Sequence, residues 1–322
     1  MRMPRIKVHG RNAVYHCISR IVGGEFLLKD LEKEKLRQLM WNQAEFAGVQ
    51  IITYAIMINH IHILIRIPET TLVSDQEIYK RCQAIYAQED PFLELLGKMM
   101  RTKGKLDVDI RKRLLVRMGD VSIFMKELKE RFSRWYNKRY DRFGTVWAER
   151  FKSVLIEDQT GVVQTLAGYI DLNPVRAGLV QDPKDYRYCG YAEAVAGGVK
   201  AREGILSFHQ TDDWKQASRE YRKYLFIGGG SAGRADKLTL DPKAIQKVLD
   251  QGGELSEGQL LRLRIRYMTQ GAVLGSRNFV NEVFAQYRER FGPRRKQGGH
   301  PLRFNALKSL YSLRDVSPLE RV

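Results

Sequence analysis

The run Asn59-His60-Ile61-His62-Ile63-Leu64-Ile65 sets two imidazoles one residue apart among branched apolar side chains. Successive side chains of a strand point to opposite faces, so His60 and His62 share one face, while Ile61 and Ile63 turn towards a core. Two imidazoles roughly 6.5–7 Å apart along a strand can close on one divalent ion. The same pair also suits a solvent-facing strand, or a ring satisfied by a hydrogen bond inside a core. A third histidine two residues later would make a phosphate-hydrolase triad, but position 64 is Leu. A zinc enzyme built on the pair needs a distant third ligand. His9, His16, His209 and His300 lie in no evident motif, although His16 falls on an early strand-like segment that can come near.

A second chemical candidate is Tyr169, within Gly168-Tyr169-Ile170-Asp171-Leu172-Asn173-Pro174-Val175-Arg176. Val162, Leu166, Tyr169, Ile170 and Asn173 recur at helical spacing and form one stripe, so the phenol faces protein. Spacing alone describes a core tyrosine equally well. Asn173 lies one turn beyond Tyr169 on the same face. Asn before Pro is also a common helix stop.

The elements that must position these groups follow from pattern. Val14–Ile21 reads as a strand, and Asp30 caps a helix running to about Phe46. Ile51–Ile58 and His60–Ile67 read as paired strands joined at Asn59. Residues 74–118 are helical in character, and Val121–Tyr140 is a long basic amphipathic helix. Gly144–Ile156 reads as a further strand, and Thr160–Leu172 as a helix stopped at Asn173-Pro174. This order predicts an α+β sandwich, a small antiparallel sheet with helices on one face. Gly- and Ala-rich residues 194–204 and the Gly228–Gly233 run predict a linker over 194–237, followed by a basic helical accessory module at 238–322.

The chain has 322 residues and a formal net charge of +18, with a pI near 9.8. Such a surplus points to a polyanionic partner, and phosphate backbones are the commonest one. No apolar run approaches the ~20 residues that span a bilayer, and no signal peptide is visible, so a cytoplasmic protein without a membrane partner is expected. Cys17, Cys82 and Cys189 make no CxxC pair and are expected as reduced structural thiols.

Arg131, Arg134, Lys138 and Arg139 crowd the basic helix, interleaved with Phe132, Trp135, Tyr136 and Tyr140. Trp147, Arg150, Lys152 and Arg176 follow. Cations beside aromatic rings suit single-stranded nucleic acid, because phosphates attract the cations and unstacked bases stack on rings. Phe132 and Trp135 are expected in the core. Between Arg262 and Lys296, Lys and Arg outnumber acids by nine to two. A helical DNA-binding arm, helix-turn-helix or otherwise, and a helical packing arm both fit.

Taken in order, Tyr15-His16-Cys17-Ile18-Ser19-Arg20, the HIH pair, Tyr136-Asn137-Lys138-Arg139, the run Gly144–Ser153 and the segment Tyr169–Val180 resemble the single-tyrosine HUH transposases. The resemblance is especially to the REP-associated tyrosine transposases of bacteria and covers roughly residues 10 to 190. It implies a ferredoxin-like HUH sandwich over residues 1–193, with a helical insertion at about 70–119. It also implies His60 and His62 as metal ligands, Asn173 as the polar residue completing the site, Tyr169 as nucleophile, and Mg²⁺ or Mn²⁺ as the ion. The implied activity is that of an endonuclease and strand transferase on single-stranded or hairpin DNA, through a covalent 5′-phosphotyrosine intermediate. This is the chemistry of DNA transposition and recombination. A homodimer is one arrangement the resemblance allows. Two rival readings are a non-catalytic DNA- or RNA-binding regulator and a zinc-dependent hydrolase that uses water as nucleophile.

Overall fold

The computed structural model describes residues 5–8, 10–69, 72–227, 268, 269, 271–292, 295, 296, 298–302 and 309–313. The α+β class is as expected. β1 (Ala13–Arg20), β2 (Gln50–Ile56), β3 (His60–Ile67) and β4 (Lys152–Ile156) form an antiparallel core in the order β2-β3-β1-β4. Their β-branched and aromatic residues are nearly all buried, as a sheet covered by other elements requires.

Helices were expected on one face and cover both. Thr53 and Tyr54 are adjacent on β2 and so point to opposite faces. The Tyr54 ring packs edge-on to Trp41 of α1 (Asp30–Ala47), with centroids 6.1 Å apart. The Thr53 hydroxyl instead reaches Asp171 at the end of α6 (Thr160–Asp171). The basic helix α5 (Val121–Arg139) lies against α1. The stretch expected to be helical forms α2 (Asp75–Gln83), α3 (Pro91–Lys103) and α4 (Val108–Val116). These helices bury Ile78, Cys82, Leu93, Leu96 and Leu114 around Phe46 of α1, a satellite core beside the main one.

Three boundaries differ from the pattern reading. Residues 144–151 hold only a single bridge, Ile21 to Trp147, before β4 begins at Lys152. Asn173-Pro174 does not end the helical path, because α7 (Asn173–Arg176) follows one residue after α6. Proline is tolerated in a first turn, where its missing N–H has no helical partner to lose. The expected linker is folded from 194 to 227, through the end of α8 (Gly190–Val195), α9 (Val199–Leu206) and α10 (Trp214–Ile227). Its small residues allow close approach. A Cβ on Gly204 would lie 2.5 Å from the carbonyl oxygens of both Ile51 and Ile52. Gly228–Gly233 lies outside the described residues.

The module expected at 238–322 lies largely outside the described residues, and the part that is described is built into the main sheet. Its described residues are not a separate helical module. Only α11 (Arg277–Gln286) is a helix of any length there, while β5 (Val273–Gly275), β6 (His300–Pro301) and β7 (Tyr311–Leu313) extend the sheet. β5 runs parallel to β4, and the N–H groups of Leu155 and Glu157 donate to the carbonyls of Ala272 and Leu274 at 2.9 and 3.0 Å. Val273, Leu274, Val280 and Leu313 join the main core. A three-residue apolar strand is too short to stand out in a basic sequence. Arg262, Arg264, Arg266 and Arg294 lie outside the described residues. Cys17, Cys82 and Cys189 are free and buried, and among the described residues no helix is long and apolar enough to cross a membrane.

Candidate active site

The antiparallel register of β1 and β3 sets Ile18 opposite His62, Arg20 opposite His60 and His16 opposite Leu64. Directly opposed residues share a face, so His16, Arg20, His60 and His62 lie together on one side of the sheet. The His60 and His62 ring centroids are 5.1 Å apart. His62 and His16 are buried, and His60 is half-exposed. His16 Nε2 lies 2.9 Å from His62 Nδ1, and His16 Nδ1 lies 2.7 Å from the Met268 carbonyl. His60 Nδ1 lies 2.7 Å from Asn59 Oδ1, whose own amide donates to the Gly24 carbonyl.

Burial favours the neutral form of the two inner imidazoles. It lowers the His62 pKa well below the usual imidazole value, with the neighbouring His16, His60, Arg176 and Arg20 acting in the same direction. His16 is pushed down to about 4 by burial, against its bond to the Met268 carbonyl. Neutral imidazole is the form that ligates metals. The donor set fits a divalent ion in part. Among the described residues no group of three or more His, Cys, Asp or Glu is disposed to hold one. Two imidazoles would therefore leave the remaining positions to an amide, water or phosphate oxygens.

Tyr169 comes to the same face on α6, which packs across β2 and β3. Its side chain is buried, edge-on to His16 with centroids 6.5 Å apart. The Arg176 guanidinium sits 3.9 Å above the Tyr169 ring and donates to the Tyr169 carbonyl at 2.6 Å. Burial lowers the Arg176 pKa to about 10, and proximity to Tyr169 opposes that shift, so the cation persists at neutral pH. Asn173 is half-buried at the start of α7.

Asp171 clamps the end of α6. It accepts from the hydroxyls of Thr53 and Tyr221, each at 2.7 Å, and from the Tyr191 N–H at 3.2 Å. Burial raises its pKa to about 6, and these three donors act against the rise. The tyrosine helix is thus tied to β2, α8 and α10 of its own chain.

The expected nucleic-acid residues divide. Arg134, Lys138, Arg139, Arg150 and Lys152 are exposed. Lys152 opposes Ile18 across β1 and β4, which puts it on the histidine face. Arg139 lies 6.0 Å from the Trp135 ring and 5.9 Å from the Tyr140 ring. Arg131 is half-buried and donates to the Ile85 carbonyl at 3.2 Å, which ties α5 to the satellite core. Arg176 belongs to the tyrosine pocket. Trp147 is a correction: only 6% exposed, it packs against Phe132 and spends its indole N–H on the Lys129 carbonyl, so no base can stack on it.

Two participants escaped the sequence reading. Arg20 is exposed opposite His60, and only the strand register reveals it. Met268 acts through its backbone, which no side-chain pattern announces.

Residues 10–89 match the family model described as transposase, IS200-like. That span runs from β1 through α2 and contains His16, Arg20, His60 and His62. No curated protein matches the sequence. Among solved structures, the chain is similar to a REP-associated tyrosine transposase bound to a REP hairpin. The two share 15% identity over 62% of this chain and 87% of that one, with a TM-score of 0.41.

Proposed function

We propose that this protein cuts and rejoins single-stranded or hairpin DNA as a transposase-type strand transferase, with Tyr169 as nucleophile and a divalent ion, Mg²⁺ or Mn²⁺, at His60 and His62. The observation that carries the reading is the convergence of a buried phenol and three imidazoles on one sheet face, from distant parts of the chain. The family match over residues 10–89 supports the same class.

An unassisted phenol is a poor nucleophile at neutral pH and needs help. An ion bound at the imidazoles would draw charge from the scissile phosphate and orient it for in-line attack. His60 and His62 would supply imidazole ligands, and Asn173 an amide oxygen. Arg176, held over the Tyr169 ring, favours negative charge on the phenol oxygen and on the phosphate. Tyr169 Oη forms the new bond to phosphorus as the bond from phosphorus to the 3′ oxygen breaks. The phenolic proton is lost, and the departing 3′ oxygen takes one up. The product is a 5′-phosphotyrosyl enzyme and a free 3′-hydroxyl. Attack by a 3′-hydroxyl reverses the exchange and joins strands, so no nucleotide cofactor is consumed. The packing of α6 on the sheet of its own chain favours a tyrosine that acts within its own subunit.

Arg20 and Lys152 flank the histidines, and Arg134, Lys138, Arg139 and Arg150 offer further phosphate contacts. A hairpin oligonucleotide incubated with the protein and Mn²⁺ should yield a denaturation-resistant DNA–protein adduct that chelation prevents. Multiple-turnover release of cut DNA with no adduct would instead favour a water nucleophile.

A further inference from the structure

We infer that His16 is a positioning residue: anchored by the Met268 carbonyl, it fixes His62 in the tautomer whose Nε2 carries the lone pair, which makes the carboxy-terminal part of the chain a working component of the metal site. The functional half of this inference rests on the reading above. Its tautomer half does not.

The argument is one of donors and acceptors. A backbone carbonyl can only accept, so the 2.7 Å contact with Met268 requires a proton on His16 Nδ1. His16 is fully buried, and its hydrogen-bond partners are a carbonyl and another imidazole. A second proton would bury a charge with no acidic side chain among those two partners. His16 is therefore neutral and its Nε2 is an acceptor. Across the 2.9 Å contact His62 Nδ1 must then donate, and its Nε2 keeps the lone pair. The ring centroids lie 5.1 Å apart at an interplanar angle of 25°, a separation compatible with an N–H···N bond between the rings. His60 reaches the same tautomer by a local route, because Asn59 Oδ1 accepts from its Nδ1. The two candidate ligands thus present the same ring nitrogen, one set by its sequence neighbour and one by a relay that ends 252 residues from His16.

Met268 is a helical residue buried in the main core. It lies five residues before β5, whose pairing to β4 begins at Ala272. Outer partners of this kind orient a ligating imidazole and raise its basicity, and their loss typically costs about 10- to 100-fold in metal affinity.

The test uses the full chain, metal-free, with ¹⁵N-labelled histidine. Long-range ¹H–¹⁵N spectra should show His62 protonated at Nδ1 and bare at Nε2. His16→Gln keeps an acceptor for His62 and a donor for Met268, and should preserve that pattern and Mn²⁺ affinity. His16→Leu should mix the two His62 tautomers and weaken Mn²⁺ binding by about 10- to 100-fold. A wild-type His62 protonated at Nε2 overturns the inference even if neither variant folds. So does a folded His16→Leu protein with wild-type tautomer and Mn²⁺ affinity. The expected tautomer in a protein that never forms a DNA adduct would sink the proposed function and leave the assignment of His16 standing.

Discussion

The two faces of the central sheet treat their polar groups in opposite ways. On the histidine face His16, His62, Tyr169 and Asp171 are buried, and His16, His62 and Asp171 are fixed by hydrogen bonds of 2.7 to 3.2 Å. On the α5 side Arg134, Lys138 and Arg139 stand in solvent, and the Arg139 guanidinium lies near the Trp135 and Tyr140 rings. Bond making needs atoms held to fractions of an ångström, and preorganised groups supply that. Attraction to a phosphate backbone needs only charge near a surface. The histidine cluster is held for geometry and the exposed α5 cations supply affinity, so substitutions in the two regions should fail differently.

The largest effect belongs to the ligands. His60→Ala or His62→Ala should abolish adduct formation while DNA affinity falls little, because cations elsewhere supply it. Cleavage and binding measured side by side across a Mn²⁺ titration check this. Near-normal cutting by both variants would erase the distinction between the faces.

Trp147→Ala sharpens the boundary. The indole is buried beneath the cationic surface, so truncation should cost about 3–5 kcal/mol of stability. The protein that stays folded should bind single strands with unchanged affinity. A loss of affinity without loss of stability would return Trp147 to the DNA surface.

Much of the histidine face was legible from the sequence. Strand alternation placed His60 and His62 together, and helical spacing turned Tyr169 inward, because both are local periodicities. Non-local features were hidden. The nearness of His16 to the pair was open to a strand reading, but its bond to His62 and the place of Arg20 depend on the β1–β3 register, which no single segment encodes. The covered second sheet face, the folded residues 199–227 and the strands near the carboxy terminus depend on tertiary packing. There, glycines that looked like linker serve close backbone approach, and a three-residue strand hides among cations. Trp147 misled because aromatics beside arginines look alike whether the ring meets a base or the core.

A smaller effect is expected from Arg134→Glu with Arg139→Glu. Affinity for single strands should fall, and the slope of log affinity against log salt should flatten by about 0.7 for each phosphate that the variant leaves unneutralised. Adduct yield at saturating DNA should stay near wild type. Titrations at several salt concentrations decide the point, and an unchanged slope would place the phosphate-binding cations elsewhere.

The smallest expected effect concerns Lys129, half-buried under Trp147, with its ammonium donating to the Glu149 carbonyl. Burial lowers its pKa to about 8, with Arg5 and Arg150 adding repulsion against the pull of Glu149. Between about 8 and the ordinary lysine value near 10.4 the unfolded chain binds more protons than the folded one, so this group makes stability rise with pH across that window. Denaturation of wild type and Lys129→Met at pH 7.5 and pH 10 should show the wild type gaining relative to the variant. Parallel pH profiles would contradict the shift.

The central claim is that Tyr169 attacks phosphorus. Phenylalanine fills the same stripe and lacks only the oxygen, so Tyr169→Phe should fold, bind hairpin DNA and bind Mn²⁺ as the wild type does. Mass spectrometry of the wild-type adduct after proteolysis should place the phosphodiester on Tyr169, and the Phe variant should yield no adduct at all. A phosphodiester on Tyr136, Tyr140 or any other residue, or an adduct that survives in the Phe variant, would contradict the account.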